Sequence, residues 1–169
     1  MSVRRAKSPL YTVLYYSRLP RLAYLLRQLW RRLRRPLTVG VAALVVDERG
    51  WVLLVRHSYV AGWRLPTGGV AQGETASRAV ARELEEELGL SVYEDPPRLL
   101  GLYAQLDIGG SDHVAVYVVE KWSGLPCPDG LEVIEAEFFA PEAPPPAIAP
   151  ATRRRIEEFR GRAPVTATW

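Results

Sequence analysis

The stretch "GGVAQGETASRAVARELEEELGL", residues 68–90, decides the fold and holds five glutamates and two arginines. Like charges one helical turn apart repel each other, so this many carboxylates require a positive partner nearby. The pattern predicts a helix from about Thr75 to Leu88, and Gly89 closes this helix as a C-cap.

Three of the glutamates lie on one side of this helix. Glu83, Glu86 and Glu87 are separated by three and four positions, which places their carboxylates one turn apart on the same face. Such a face next to a glycine-rich loop predicts an oxygen-rich site for a hard divalent cation, magnesium or manganese. Histidine and cysteine are absent from the stretch, which argues against zinc.

The glycines and an arginine support the same interpretation. Gly68, Gly69 and Gly73 allow the loop to turn tightly and bring backbone carbonyl groups near the cation. Arg82 is placed to pair with carboxylates of the loop or the helix and to relieve their repulsion. The alternative is a solvated acidic helix face, which is what most glutamate-rich helices are.

The spacing favours the site over the solvated face. The stretch satisfies a box of Gly, five residues, Glu, seven residues, then Arg-Glu-apolar-any-Glu-Glu-any-Gly-apolar. Its nine fixed positions are Gly68, Glu74, Arg82, Glu83, Leu84, Glu86, Glu87, Gly89 and Leu90. This pattern resembles the signature of the Nudix hydrolases (MutT-like). With "GWRLPTGG" before it and "EAEFFAPEAPP" after it, the similarity covers roughly residues 37–160.

The resemblance implies a fold and a reaction. The expected fold is α+β, an α/β/α sandwich around a mixed sheet. The expected reaction is hydrolysis of a diphosphate linkage in a nucleoside diphosphate derivative, such as a nucleotide sugar or a nucleoside triphosphate. The resemblance thus implies a Nudix pyrophosphohydrolase that uses Mg²⁺ or Mn²⁺.

The resemblance also assigns roles to residues. The expected catalytic residues are Glu83, Glu86, Glu87 and Arg82. The expected metal ligands are Glu83, Glu86 and Glu87 with the backbone carbonyl of Thr67. Structural positions of the box are Gly68, Glu74 and Gly89, and Glu74 with Arg82 braces the loop against the helix. The general base is either a glutamate of the box or a glutamate on a later loop.

The sequence gives less information about the substrate. A proline or a tyrosine shortly after the box marks some substrate classes of this family, and residues 105–108 supply neither. Candidates for substrate contact are Arg56 and Arg64 for phosphate, and Trp63 and Tyr103 for stacking on a base or ribose. For each, the alternative is core packing or a surface ion pair.

Charge is divided unevenly along the chain. The net charge is +3, but residues 1–36 carry +10 and residues 151–169 carry +3, which leaves −10 for residues 37–150. An acidic domain repels phosphates unless cations accompany the ligand. The single cysteine, Cys127, excludes an internal disulfide and agrees with a reducing cytoplasm.

Residues 9–35 have apolar positions at helical spacing beside arginines, which predicts a basic amphipathic helix. No apolar run reaches the ~18 residues of a spanning helix. One alternative is peripheral contact with an anionic membrane. The other, which we favour, is packing across the domain or against a second subunit in a homodimer. The predicted domains are this extension (1–36), a Nudix domain (37–162) and a tail (163–169).

Strand patterns occupy most of the remaining chain. The predicted strands are 38–47, 51–57, 98–106, 113–122 and 135–141, with the first two and the next two forming hairpins. A short helix is predicted over 151–160. This order favours a mixed sheet with helices packed on it.

A second function is compatible with the same residues: a nucleotide-sensing or membrane-associated binding module on a Nudix fold. A nucleic-acid partner is not expected, because no aromatic-basic platform accompanies the arginines.

Overall fold

The computed structural model describes residue 26 and residues 37–93, 96–106 and 111–169. Except for Leu26, the predicted basic helical extension (1–36) lies outside the described residues. Within these ranges, no helix is both long enough and apolar enough to cross a membrane.

The described ranges form nine strands and two helices. In chain order they are β1 (Leu37–Val45), β2 (Val52–His57), β3 (Trp63–Arg64), β4 (Thr67–Gly69), α1 (Ala76–Leu88), β5 (Ser91–Val92), β6 (Arg98–Gln105), β7 (Ser111–Val119), β8 (Trp122–Ser123), β9 (Val133–Phe139) and α2 (Pro150–Phe159). The strands β3, β4, β5 and β8 are missing from the sequence prediction, because two or three residues are too few to show an alternating pattern.

The larger sheet is mixed, as predicted. Its strand order is β4-β1-β7-β6, and β1 runs parallel to β7 but antiparallel to β4. A second sheet has the order β3-β2-β9, and β5 pairs with β8. The strand β6 therefore lies at one edge of the larger sheet.

Successive residues of β1 enter two different cores. Val41, Ala43 and Val45 join Leu84 and Leu88 of α1 in one core, which we call the α1 core. Ala42 and Leu44 join Ile156 of α2 in the other, the α2 core. Both faces of the strand are thus buried, which explains its continuous apolar run. A helix lies on each side, and the predicted α+β sandwich is confirmed.

The first predicted hairpin needs a correction. A tight turn does join β1 to β2, with Gly50 at φ 77° and the Asp47 N–H donating to Trp51 O at 3.0 Å. Only the bridge between Val46 and Val52 connects the two strands, which then enter different sheets. The second predicted hairpin is confirmed, because β6 and β7 pair antiparallel.

The predicted tail contributes to the sheet. The Ala104 N–H of β6 donates to Ala167 O at 2.8 Å, and the Trp169 N–H donates to Ala104 O at 3.0 Å. Part of the stretch 163–169 is therefore bonded along the outer side of β6.

Candidate active site

Helix α1 is fixed at both ends and along one face. Thr75 caps its start, with the side-chain oxygen accepting from the Arg78 N–H at 3.3 Å. Gly89 ends it in the left-handed conformation at φ 67°, where glycine is least strained. Leu84 and Leu88 are fully buried, and the glutamates occupy the adjacent side of the helix.

Glu83 meets the glycine loop directly. Its Oε1 accepts from the Gly69 N–H at 3.2 Å. At Gly68 an added Cβ would lie 2.0 Å from Glu83 Cδ, well inside contact distance. Only glycine at this position lets the carboxylate lie against β4, next to Thr67. Burial is the main cause that raises the pKa of Glu83, and Arg82 opposes it.

Arg82 connects the loop to the helix. Its Nε and Nη2 donate to the two oxygens of Glu74 at 2.9 and 3.0 Å, and Nη2 also donates to Gly69 O at 2.9 Å. Its Nη1 donates to Glu83 at 2.9 Å and to Glu86 at 3.1 Å. The hydrogen bonds from Arg82 lower the pKa of Glu74. Arg82 therefore joins the glycine loop to α1 through these hydrogen bonds.

Glu87 is the buried member of the acidic face. It is 6% exposed, and its Oε2 has no hydrogen-bond partner among the described residues. Burial, followed by the charges of Glu83, Glu132, Asp129 and Glu86, raises the pKa of Glu87 to about 8. A cation next to such a carboxylate would stabilise its charged form.

Asp129 and Glu132 are neighbours of Glu87 that the sequence did not indicate. The Asp129 N–H donates to Glu87 O at 2.9 Å, and the Asp129 side chain accepts from the Val133 N–H at 3.0 Å. Both acids come from the loop before β9, far from α1 in sequence. No periodic pattern marks them, and two acids in a loop with Pro and Gly are the only signal.

The described side chains do not form a ready metal cage. No group of three His, Cys, Asp or Glu side chains within the described ranges is arranged to enclose an ion. Arg82 accounts for part of this, because its Nη1 is hydrogen-bonded to both Glu83 and Glu86. A cation would have to replace these contacts, and Glu86 is the freer of the two because its side chain is 61% exposed.

Tyr103 is a correction among the expected substrate contacts. It is fully buried in the α2 core, and its hydroxyl donates to Glu158 Oε2 at 2.8 Å. The acidic face belongs to the other side of the sheet. Alternation along β6 places Tyr103 inward, and one sequence cannot tell which side of a strand faces a ligand.

The other three candidates differ in their surroundings. Arg56 is exposed and paired with Glu135 at 2.8 Å, and Trp63 packs edge-on against Phe139 with ring centroids 4.9 Å apart. These contacts are the alternatives expected for both residues. Arg64 differs, because its Nε is buried and has no hydrogen-bond partner among the described residues.

Comparisons with known proteins show a similarity that extends beyond the nine-position box. A family model described as NUDIX domain matches residues 36–159. A Bacillus subtilis (strain 168) protein with the provisional name 8-oxo-dGTP diphosphatase is 29% identical over 75% of this chain and 82% of its own length. Dihydroneopterin triphosphate diphosphatase of Escherichia coli (strain K12) is 26% identical over 75% of this chain and 93% of its own length.

A solved structure gives the same result. The crystal structure of a MutT NUDIX hydrolase from Burkholderia pseudomallei superposes with a TM-score of 0.66 at 30% identity, over 72% of this chain and 97% of that one. The similarity therefore covers the sheets and both helices as well as the acidic stretch.

Proposed function

We propose a function from one established premise: the chain belongs to the NUDIX domain family. It is a pyrophosphohydrolase that cleaves a diphosphate linkage in a nucleoside diphosphate derivative and uses magnesium or manganese. Nucleoside triphosphates and nucleotide sugars are the substrate classes to test first. Two relatives support the former, because they are named for 8-oxo-dGTP and for dihydroneopterin triphosphate.

The observation that carries this proposal is the buried carboxylate of Glu87. One of its oxygens has no partner among the described residues, and burial, followed by the charges of four other acids, raises its pKa to about 8. A buried, charged carboxylate destabilises the folded state unless a positive charge lies next to it. The nine-position box places Glu83 and Glu86 on the same helix face.

The residues fit a hard cation. Glu83, Glu86 and Glu87, with the backbone carbonyl oxygen of Thr67, would hold it, and oxygen donors of this kind suit magnesium or manganese. When bound, the cation neutralises diphosphate charge and acidifies water.

The chain's own residues position the site and move the proton. Arg82 fixes the glycine loop to α1 through Glu74 and the Gly69 carbonyl. A glutamate of the box is one candidate general base. Glu132 of the later loop is the second candidate, because its charge acts on Glu87.

The remaining parts of the proposal concern regions and partners. The proposed domains are the extension (1–36), the Nudix domain (37–162) and the tail (163–169). The partner is a small nucleoside diphosphate-type molecule and not a nucleic acid. A cytoplasmic location, peripheral membrane contact and a homodimer stay predictions.

A hydrolysis screen with chromatographic detection of the nucleotide products tests the function. The full chain is assayed with magnesium or manganese against nucleoside triphosphates including 8-oxo-dGTP, dihydroneopterin triphosphate, nucleotide sugars and dinucleoside polyphosphates. The test variant is Glu87→Gln, which keeps the shape of the side chain and removes its charge. The matched control is Glu85→Gln, which removes the same charge from an exposed position of α1.

We expect cation-dependent turnover by the wild type and Glu85→Gln, and a loss of roughly 100-fold or more in Glu87→Gln. Equal activity of Glu87→Gln and the wild type would show that the acidic face is not the site. Nucleotide binding without turnover under every condition would favour the sensing module instead.

A further inference from the structure

His57 is a buried histidine at the end of β2. It is 4% exposed, and neither ring nitrogen has a hydrogen-bond partner among the described residues. The Nε of Arg64 is buried and unpartnered in the same way. Buried polar groups are rarely left unpaired in native folds, so two such side chains close together require an explanation.

The two side chains lie on one face of the β2–β3 pair. Arg64 is opposite Val55 in the antiparallel register, and His57 stands two residues beyond Val55, on the same face by strand alternation. Diagonal neighbours of this kind are within reach of long side chains. Val55 packs in the α1 core, so this face is turned toward the helix that carries the glutamates.

This face adjoins the acidic site. The charge of Asp129 acts on both His57 and Glu87, and its N–H donates to Glu87 O. Arg64 is three residues before Thr67, at most about 11 Å along the chain. The unpartnered nitrogens and the acidic cluster therefore belong to one region of the domain.

We infer that His57 and Arg64 form a subsite for an oxyanion, a phosphoryl group of the substrate that lies beyond the diphosphate linkage to be cleaved. Arg64 supplies a charged N–H donor, and the imidazole supplies a second donor. Burial and then the charge of Arg64 lower the pKa of His57 to about 4, while Asp129 opposes them. A bound anion would offset the charge of Arg64 and give both buried donors an acceptor.

The ring of Tyr59 covers this subsite. It stacks on His57 with centroids 5.1 Å apart and planes inclined by 25°. Tyr59 lies just after β2, in the bend that precedes β3. This ring gives the experiment a local reporter next to His57.

The inference rests on the proposed function and narrows its substrate class. Phosphoryl groups are repelled by the carboxylates unless cations neutralise them, whereas Arg64 attracts them without a cation. The chain should therefore favour nucleoside triphosphates over nucleotide sugars whose sugar is uncharged.

Binding of inorganic triphosphate without added divalent cation tests the subsite independently of turnover. Calorimetry on the full chain compares the wild type with His57→Phe and Arg64→Met. The matched control is Arg98→Met, which removes the same charge from an exposed position of β6. We expect each subsite variant to bind roughly 10- to 100-fold more weakly, and the control to bind as the wild type does.

NMR provides the local readout. The chain has two histidines, His57 and His113, so His57→Phe assigns their ring signals. Triphosphate should shift the ring signals of His57 and Tyr59 and leave those of His113 in place. Backbone amide spectra of both subsite variants verify that they are folded.

Unchanged affinity in folded His57→Phe and Arg64→Met would overturn the inference, as would the absence of triphosphate binding by the wild type. Binding that leaves the His57 signals in place would also overturn it. Failure of the proposed function looks different: triphosphate would still bind at His57, but no nucleotide would be turned over with any cation. If the enzyme were active but all variants bound triphosphate with equal affinity, only the subsite inference would be wrong.

Discussion

Arg82 and Glu74 form a two-point ion pair across the glycine loop, with N···O distances of 2.9 and 3.0 Å. The planar guanidinium makes this contact while its Nη2 also donates to Gly69 O at 2.9 Å. Lysine carries the same charge on a single nitrogen and lacks the planar set of N–H donors, so it cannot make these contacts together. The pair therefore depends on geometry more than on charge.

The first prediction follows from this planar set of donors. Arg82→Lys should lower cation affinity and kcat/KM by roughly 10- to 100-fold, as loss of a residue that orients ligands does. Cation titration of activity measures it. Arg78→Lys, one turn earlier on the exposed side of α1, should leave both quantities unchanged. Equal losses in the two variants would mean that only helix charge matters.

The second prediction concerns the close contact at Gly68. Gly68→Ala puts a Cβ where Glu83 now lies, so the carboxylate must move and activity should fall roughly 100-fold. Overpacking should also reduce the free energy of unfolding by about 1–3 kcal/mol. Gly69→Ala is the control, because an added Cβ there meets nothing within 4 Å. Kinetics and denaturant unfolding compare the two variants.

The third prediction is a pH dependence of stability without cation. The ordinary pKa of a glutamate is 4.5, and burial raises that of Glu87 to about 8, so the folded state holds the proton more tightly. Its stabilising effect is full below about pH 4.5 and is lost as pH rises through about 8. Glu87→Gln should therefore become more stable than the wild type toward alkaline pH, by at most roughly 3–5 kcal/mol.

Denaturant unfolding in a chelator, from about pH 5 to about pH 9, measures this difference. Added manganese should stabilise the wild type more at the alkaline end, because cation binding requires the ionised carboxylate. It should have little effect on Glu87→Gln. A wild type that gains stability with rising pH relative to this variant would contradict the burial of Glu87.

The fourth prediction tests the place of Tyr103. Tyr103→Phe removes the hydroxyl that donates to Glu158, which should cost about 1–2 kcal/mol of unfolding free energy. KM and kcat should stay unchanged, because the ring lies in the α2 core. Thermal unfolding and steady-state kinetics measure both. A raised KM at normal stability would return Tyr103 to the substrate contacts.

The sequence predicted those features that depend on neighbours along the chain. Helix α1 was predicted between Thr75 and Gly89 because its cap, its apolar spacing and its closing glycine are all local signals. The carboxylates of Glu83 and Glu87 share a face for the same reason.

Features that depend on distant pairing were not predictable. Strands β1 and β2 look like a hairpin, but β1 pairs with β7 and β2 with β9, which local turn chemistry does not encode. The approach of Asp129 and Glu132 to Glu87 follows from the path into β9. The ring nitrogens of His57 have no hydrogen-bond partner among the described residues because of tertiary packing. The apolar sequence of β2 would look the same if they had one.

The bonds from Ala167 and Trp169 to Ala104 have a consequence for self-association. A free outer strand is a template on which another chain can add its own strand, the first step toward amyloid-like growth. At Ala104 this edge is already hydrogen-bonded to Ala167 and Trp169 of the same chain. Removal of residues 167–169 would uncover this edge of β6, so the shortened chain should add strands from other copies there.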